Sequence, residues 1–130
     1  MAVVNTGLVD DNFKVIKVVT GKKNADETIV EVSSLKGATN ESKLSLANVY
    51  YEVVNEKIDN VEQDGKVTLE FDGEDPFLTL RGKDNYGLKP SEKKFLPDYG
   101  FNDIIVKSGT DLKSFSLILE CHKESGFTTT

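Results

Sequence analysis

Residues Lys66–Gly82 have the sequence pattern of a strand, a turn and a second strand, and this stretch constrains the fold more than any other part of the chain. Large apolar residues occupy alternate positions in its two halves: Val67, Leu69 and Phe71, then Leu78 and Leu80. This period of two is typical of strands with one face in a core and one in water. Gly73 permits a positive φ and Pro76 cannot donate to a ladder, so residues 72–76 are predicted to turn. The stretch therefore predicts a β-hairpin.

Further strands are predicted over residues 13–20, 28–33, 43–54, 103–107 and 114–122. The first two are expected to pair as a hairpin, with a loop longer than the tight two-residue turns. In the second, Val30 and Val32 are placed on the core side and Ile29 on the other. In 103–107, Ile104 and Val106 are expected to point inward. The last strand alternates most clearly, with these residues on one face: Phe115, Leu117, Leu119 and Cys121.

The strand predicted over 43–54 changes phase along its length. Leu44 and Leu46 are even-numbered, whereas the apolar residues that follow are odd-numbered: Val49, Tyr51 and Val53. All five can face one core only if a residue near Ala47 or Asn48 is extra, as in a β-bulge. A helix over the same residues is the alternative. It is disfavoured because β-branched and aromatic residues crowd the second half.

Two stretches have no sustained period. Residues 56–64 are polar apart from Ile58 and Val61, and they are interpreted as one helical turn or a wide loop. Residues 83–102 contain two glycines and two prolines, with one helical turn over 91–96 capped by Ser91 as a local possibility. A loop of that length in a small domain is functional, folded on itself, or hides an element.

Seven or eight strands separated by turns, with no helix of ordinary length, predict an antiparallel β-sandwich or barrel. Residues 1–130 are expected to form one domain, since no repeat or linker interrupts them. Residues 1–10 are interpreted as an extended arm. The arm either pairs as the first strand of its own domain or reaches a neighbouring subunit.

Composition disfavours several classes of protein. Sixteen Lys and Arg against 22 Asp and Glu give a net charge of −6, and the basic residues are scattered, so nucleic acid is a poor partner. Met1–Gly7 lacks the basic and apolar regions of a signal peptide, and no run approaches the roughly 20 apolar residues of a membrane span. The sequence predicts a soluble chain that binds neither nucleic acid nor membrane.

Residue types that carry chemistry are few. The chain has a single cysteine, Cys121, beside a single histidine, His122, and neighbours on a strand face opposite sides. Neither a Cys–His dyad nor a zinc site is therefore expected, and Cys121 is interpreted as a core residue. Acidic pairs at Asp10–Asp11 and 72–75 lack the spacing of a calcium loop and are assigned to turns. We expect no enzyme, metal or cofactor.

The chain also resembles small virion structural proteins of tailed bacteriophages, particularly marine phages. The segments that carry the resemblance are Ala2–Thr6, Glu70–Asp72, Leu80–Gly82, Asn102–Ile105 and Phe115–Lys123. Residues 83–99 depart from it, being longer and more charged. The resemblance implies a capsid decoration or cement protein, or another component of the head, neck or tail. Such a protein is made in the host cytoplasm and resides in the virion, where its partners are the major capsid protein and its own copies, for instance in a trimer.

The contact residues expected for such a role lie near the two chain ends. Arm residues Val3, Val4, Leu8 and Val9, together with Phe127 in the tail, are predicted to touch other subunits, because they are more apolar than free ends need be.

The alternative is a β-sandwich that binds glycans. It would use aromatic residues of the long irregular region, namely Tyr86, Phe95, Tyr99 and Phe101. Packing of these aromatics onto the core is the plainer interpretation.

Overall fold

The computed structural model describes residues 3–73, 76–87 and 103–128. Within these ranges the chain forms eleven strands and one short 3-10 helix, Val32–Ser34. The strands are β1 (Val3–Asp10), β2 (Lys14–Lys22), β3 (Asp26–Val30), β4 (Leu44–Asn55), β5 (Lys57–Ile58), β6 (Val61–Glu62), β7 (Val67–Phe71), β8 (Pro76–Leu80), β9 (Lys83–Gly87), β10 (Ile104–Ser108) and β11 (Leu112–Lys123).

Nine of these strands build two antiparallel sheets, in the orders β1-β2-β11-β4-β9 and β3-β10-β7-β8, and β5 and β6 form a separate ribbon. If β1, β5 and β6 are set aside, the remaining eight strands pair first with last, second with seventh, third with sixth and fourth with fifth. This nesting is that of a jelly roll. The predicted all-β sandwich is confirmed, with more strands than the seven or eight expected.

One apolar core fills the space between the two sheets. The predicted inward residues of β7, β10 and β11 are buried: Val67, Leu69, Phe71, Ile104, Val106, Phe115, Leu117, Leu119 and Cys121. Residues of β2 and β4 complete it from the five-stranded sheet, among them Val15, Val19 and Val49. The opening hairpin is confirmed as β7 and β8, with Gly73 at φ 85°. Burial of this apolar surface is the main stabilising contribution, at roughly 25 cal/mol per Å².

The predicted bulge in β4 is confirmed. Glu120 of β11 lies opposite Asn48, but Cys121 lies opposite Leu46, so Ala47 is the extra residue. The bulge returns both halves of β4 to the same face, and the five residues that the sequence indicates are all buried: Leu44, Leu46, Val49, Tyr51 and Val53. The helix alternative is therefore wrong for this segment.

The predicted hairpin of residues 13–20 with 28–33 is wrong. β2 lies between β1 and β11, whereas β3 pairs with β10 in the other sheet, so the chain crosses between sheets after Lys22. Ser108 holds this crossing: its hydroxyl donates to the Lys22 carbonyl at 2.6 Å and accepts from the Ala25 N–H at 2.7 Å. Ile29, expected on the outer side, is buried because the β3–β10 register shifts beside it.

Residues 56–64 form neither a helical turn nor a wide loop. They make the β5–β6 hairpin, in which Asp59 and Asn60 occupy the turn at φ 51° and 66°. Two consecutive positive φ values are those of a type I′ turn, which Asn and Asp tolerate better than other non-glycine residues. Ile58 and Val61 remain exposed on this ribbon.

The irregular stretch after Gly82 contains a strand that the sequence analysis missed. β9 adds to the edge of the five-stranded sheet beside β4, and Gly82, at φ 69°, turns the chain into it. The strand contains Lys83, Asp84 and Asn85, so it lacks the alternation of apolar residues that predicts the other strands. The helical turn expected over 91–96 lies outside the described residues.

Candidate interaction surface

Cys121 and His122, the only cysteine and the only histidine of the sequence, lie on opposite faces of β11, as predicted. Cys121 lies in the core, where burial raises the pKa of its thiol to about 12, so it is not poised as a nucleophile. His122 faces the other side of β11, with its Nε2 at 2.9 Å from Glu120 Oε2. No group of three or more His, Cys, Asp or Glu within the described ranges could hold a metal ion. None of their helices is long and apolar enough to cross a membrane.

The Asp10–Asp11 pair serves local structure. Asp10 accepts a hydrogen bond at 2.6 Å from Lys123 Nζ, and the same ammonium also donates to the carbonyls of Asp11 at 2.6 Å and Lys36 at 2.8 Å. The Lys123 side chain is 1% exposed and lies 5.1 Å from the Phe127 ring centroid. With its three donors used, this lysine joins the ends of β1 and β11 to the loop after β3.

The other acidic turn, 72–75, is described only in part, since residues 74 and 75 lie outside the described ranges. Asp72 contributes to a depression of about 230 Å³. The lining residues are Val32, Ser33, Thr39, Asn40, Ser42, Asp72 and Asp103. Two of its polar groups already bind the chain: Asp103 Oδ1 accepts from the Val32 N–H at 2.9 Å, and the Ser42 hydroxyl donates to the Gly126 carbonyl at 2.6 Å. These contacts fix the loop between β3 and β4.

The outer surface of the five-stranded sheet is the feature that distinguishes this molecule. Residues that alternate with the core positions of β1, β2, β4 and β11 point outward there, and many are apolar. We call this set the apolar face: Val4, Val9, Ile16, Val18, Tyr50, Val54 and Ile118. Side chains of Val4, Tyr50, Val54 and Ile118 are among the most exposed large apolar groups in the described residues, at 61%, 45%, 42% and 44%.

The strand register places these side chains in rows across the sheet. One row runs Thr6, Val18, Ile118, Tyr50 and Asn85 from β1 to β9. The neighbouring row, Val4, Thr20, Ser116, Glu52 and Lys83, is smaller and more polar. Because residues opposite one another on one face lie about 5 Å apart, each row is a continuous band of contacts.

Four residues of the smaller row line a shallow depression of about 360 Å³ in the apolar face, namely Val4, Thr20, Ser116 and Glu52, together with Val54 of β4. Thr20 and Ser116 lie on the two strands between those of the valines and contribute hydroxyl groups. The depression therefore combines apolar side chains with hydroxyl groups.

The four predicted contact residues of the arm differ in how far they are exposed. Residues 3–10 form β1, which pairs with β2, so the arm belongs to its own sheet in the described chain. Val3 is 1% exposed and belongs to the core, which contradicts its role as a contact residue. Val4 and Leu8 are exposed, as a contact residue requires, and Val9 is half-buried opposite Ile16.

Phe127 is also bound within the chain. Its backbone bridges to Ala38, and the Thr128 N–H donates to the Gly37 carbonyl at 2.8 Å. Gly126 reaches this position at φ 80°, where a Cβ would collide with the Glu41 carbonyl. Phe127 packs half-buried against the core, so part of its surface is covered within the chain, and its contact with another subunit stays a prediction.

The aromatic residues proposed for glycan binding are largely outside the described structure. Tyr86 lies in β9 opposite Val49, and Tyr99, Phe95 and Phe101 fall within residues 88–102. They are therefore not brought together in the described part of the chain.

The exposed apolar residues in the middle of the sheet were not predicted from the sequence. Tyr50 and Ile118 occupy outward positions of β4 and β11. These positions follow from the alternation of each strand once its inward residues are known. Phe13, in the turn between β1 and β2, is 76% exposed. The sequence signal for such residues is a strand with apolar residues at both its inward and its outward positions, which is typical of a strand covered on both sides.

A scan against known protein families finds no match, and a search of curated proteins finds none either. The chain is similar to solved structures of cupins. A cupin superfamily protein from Desulfitobacterium hafniense is 10% identical, with a TM-score of 0.41, over 95% of this chain and 78% of that one. The Cnp3 cupin domain of Schizosaccharomyces pombe is 10% identical, with a TM-score of 0.43, over 94% and 61% respectively.

A structure of DMSP lyases is 10% identical, with a TM-score of 0.33, over 87% of this chain and 40% of that one. This chain thus spans less than two thirds of two of these three structures. Because the three TM-scores are below 0.5, the jelly-roll assignment stands on the strand order of this chain, and nothing about function follows from the likeness.

Proposed function

We propose that the protein is a non-enzymatic structural protein of a bacteriophage virion, a decoration or cement protein that binds the major capsid protein of the head lattice. The observation that carries the proposal is the apolar face. It suits a protein whose work is to cover another surface, and it adds to the resemblance of several segments to phage virion proteins.

The packed core supports a binding role over a catalytic one. The side chains between the sheets are apolar and tightly buried, and the one thiol among them has its pKa raised. A jelly roll is also the architecture of many viral capsid domains, although lectins and cupins share it, so the fold alone is an analogy.

The dimensions of the apolar face suit a protein–protein contact. Five strands at about 4.8 Å spacing make a sheet about 19 Å across. A standard interface buries about 800 Å² per partner, with a hydrophobic centre and a polar rim. Tyr50 and Ile118 occupy the centre of the face, whereas the Glu52–Lys83 pair, at 3.9 Å, lies towards the β9 edge. Aromatic residues at the centre of an interface are the usual sites of large binding energy.

The proposal predicts that capsid binding depends on the centre of this face. Ile118→Lys would place a charge where the partner excludes water, and we expect co-sedimentation with heads that lack the wild-type protein to fall at least tenfold. Ile58→Lys is the matched control, because Ile58 is exposed to a similar extent but lies on the β5–β6 ribbon. It should bind as the wild type does.

Three results would contradict the proposal. If wild-type protein does not bind heads of its own phage, the proposed function is wrong. If Ile118→Lys binds as well as the wild type, the apolar face is not the contact surface. Equal loss with Ile58→Lys would point to charge in general, not to this surface.

A further inference from the structure

The free edges of the two sheets differ in how they are protected. β1 and β9 end the five-stranded sheet, and β3 and β8 end the four-stranded sheet. An edge strand presents backbone N–H and C=O groups that can pair with another chain. Proteins usually block this with short strands, charged residues or proline.

Three of the four edges carry such protection. β3, β8 and β9 have five residues each. β3 contains Asp26 and Glu27, β9 contains Lys83 and Asp84, and β8 begins with Pro76. Each of these strands is poorly suited to accept another strand.

β1 lacks the same protection. It has eight residues, and Val3–Val9 contains neither a charge nor a proline. Its one charged residue, Asp10, stands at the end and is bound by Lys123. In the described part of the chain, no backbone–backbone hydrogen bond joins β1 to any strand but β2, although the Asn5 side chain donates to the Ile29 carbonyl of β3 at 2.8 Å. Among the described residues, the opposite edge of β1 is therefore unpaired.

We infer that β1 pairs with β1 of a second copy of this chain, antiparallel and around a twofold axis, so that two five-stranded sheets become one of ten strands. A bulge between Gly7 and Val9 interrupts the regular edge, so the pairing uses Val3–Gly7. The inference does not depend on the proposed function, because it requires no second kind of protein.

A second copy suits this edge for reasons of charge and symmetry. The net charge of −6 opposes association of two copies in general, but the uncharged Val3–Gly7 segment lets two strands meet without an unpaired charge at the contact. A twofold axis at Asn5 places Val4 of each copy beside Thr6 of the other on the outer face. Pairs of β-branched residues across strands are favourable.

The contact is small, so the dimer should be weak. Backbone pairing over five residues and the outward valines bury less surface than a standard interface, and we expect a dissociation constant on the order of 100 µM. The paired sheets would also join the two apolar faces into one surface.

The test is sedimentation equilibrium over about 5 µM to 1 mM, with wild type and a Val4→Lys/Thr6→Lys variant. Both substituted side chains are exposed, so the fold should be retained. The variant places two lysines of one copy beside two of the other, well within the Debye length of about 8 Å at physiological salt. We expect its dissociation constant to rise at least tenfold, with partial recovery in 1 M NaCl.

The matched control is Val18→Lys/Thr20→Lys. These residues are the β2 neighbours of Thr6 and Val4 on the same face, so the charge change is identical and lies one strand farther from the axis. Its dissociation constant should stay within about threefold of wild type, and circular dichroism with thermal unfolding should show all proteins folded.

The inference is overturned if the wild type stays monomeric up to 1 mM or forms a trimer, since antiparallel pairing around a twofold axis closes at two copies. It is also overturned if both double variants weaken association equally, which would place the contact on the face, or if neither does.

Discussion

The two sheets present the same kind of inner surface but differ in how many large apolar residues their outer surfaces carry. Outward positions of the five-stranded sheet carry the seven residues of the apolar face. Those of the four-stranded sheet, among the described side chains, are Asp26, Thr28, Thr68, Glu70, Pro76, Thr79, Ile105 and Lys107, of which Ile105 is the one large apolar residue. An ion pair of 3.2 Å joins Lys107 to Glu70 across that surface.

This difference separates what the fold requires from what it permits. Both sheets need apolar inner faces to share a core, but a water-exposed outer face needs none. The four-stranded sheet carries threonines and the Lys107–Glu70 ion pair there, and Glu70 is itself buried, with 9% of its surface exposed. The apolar outer residues of the five-stranded sheet are not explained by packing within the described chain, and the proposed function makes them the contact with a partner.

The sharpest test of inner against outer positions uses two thiols on β11. In Ile118→Cys, the new cysteine is on the apolar face while Cys121 remains buried, with its pKa raised to about 12. At pH 8 we expect a disulfide reagent to modify the new cysteine at least a thousandfold faster than Cys121, equivalent to about 4 kcal/mol. Comparable rates would mean that the two faces are not distinct. Wild-type protein reports the slow rate alone.

Truncation of adjacent residues measures the same contrast in stability. Leu119→Ala removes a fully buried side chain from the core, and we expect the free energy of unfolding in urea to fall by about 3 kcal/mol. Ile118→Ala, one residue earlier on the outer face, should cost less than about 1 kcal/mol. If Ile118→Ala costs as much, the outer face is part of the folding core and its assignment to a partner fails.

A buried charge on the inner side offers a comparison with exposed charge. Lys123→Met retains most of the side-chain volume but leaves Asp10 Oδ1 and two carbonyls without the lysine donor. We expect a loss of about 2 kcal/mol in the free energy of unfolding. Lys113→Met, at an exposed position of the same strand, should change it by less than about 0.5 kcal/mol. Equal effects would show that Lys123 does not fasten the strand ends.

The smallest expected effect concerns the turn between β1 and β2, at the end of the apolar face. Backbone N–H groups of Phe13 and Lys14 donate to Asp11 Oδ1, at 2.8 Å each, and hold the pKa of this carboxyl below its usual 3.8. A lowered folded-state pKa stabilises the protein above pH 3.8, and that contribution is lost as the pH falls through the folded value.

Asp11→Asn should therefore be less stable than wild type at pH 5, and the difference should shrink as the pH falls below 3.8. Thermal unfolding of both proteins from pH 6 to pH 2 measures this. A difference that stays constant with pH would show that the Asp11 charge does not stabilise the turn.

Local patterns predicted those features that depend on one strand and its own core face. The bulge at Ala47 and the alternation of β11 follow from which residues are apolar, and the structure confirms both. Pairing is different. The hairpin of β2 with β3 was wrong because the chain crosses from one sheet to the other between these two strands, and alternation within a strand does not identify its neighbour. β9 was missed because a polar edge strand carries no apolar period.

The contact residues were less predictable for a related reason. Val4 and Leu8 could be recognised as exposed apolar residues of the arm, but the same pattern gave Val3, which is in the core. Phe127 is apolar and near the chain end, yet its exposure depended on whether residues 37–42 offered backbone partners. Tyr50 and Ile118 become neighbours only through the β4–β11 register, which involves residues far apart in sequence.

If the proposed function is right, electron cryomicroscopy of purified virions from a phage that carries this sequence will show where the chain binds. We predict density for many copies on the head lattice. In each copy, the apolar face of the five-stranded sheet should lie against the capsid or a neighbouring subunit, and the four-stranded sheet should face solvent. Heads without such density, or copies bound through the four-stranded sheet with Tyr50 and Ile118 exposed to solvent, would contradict this prediction.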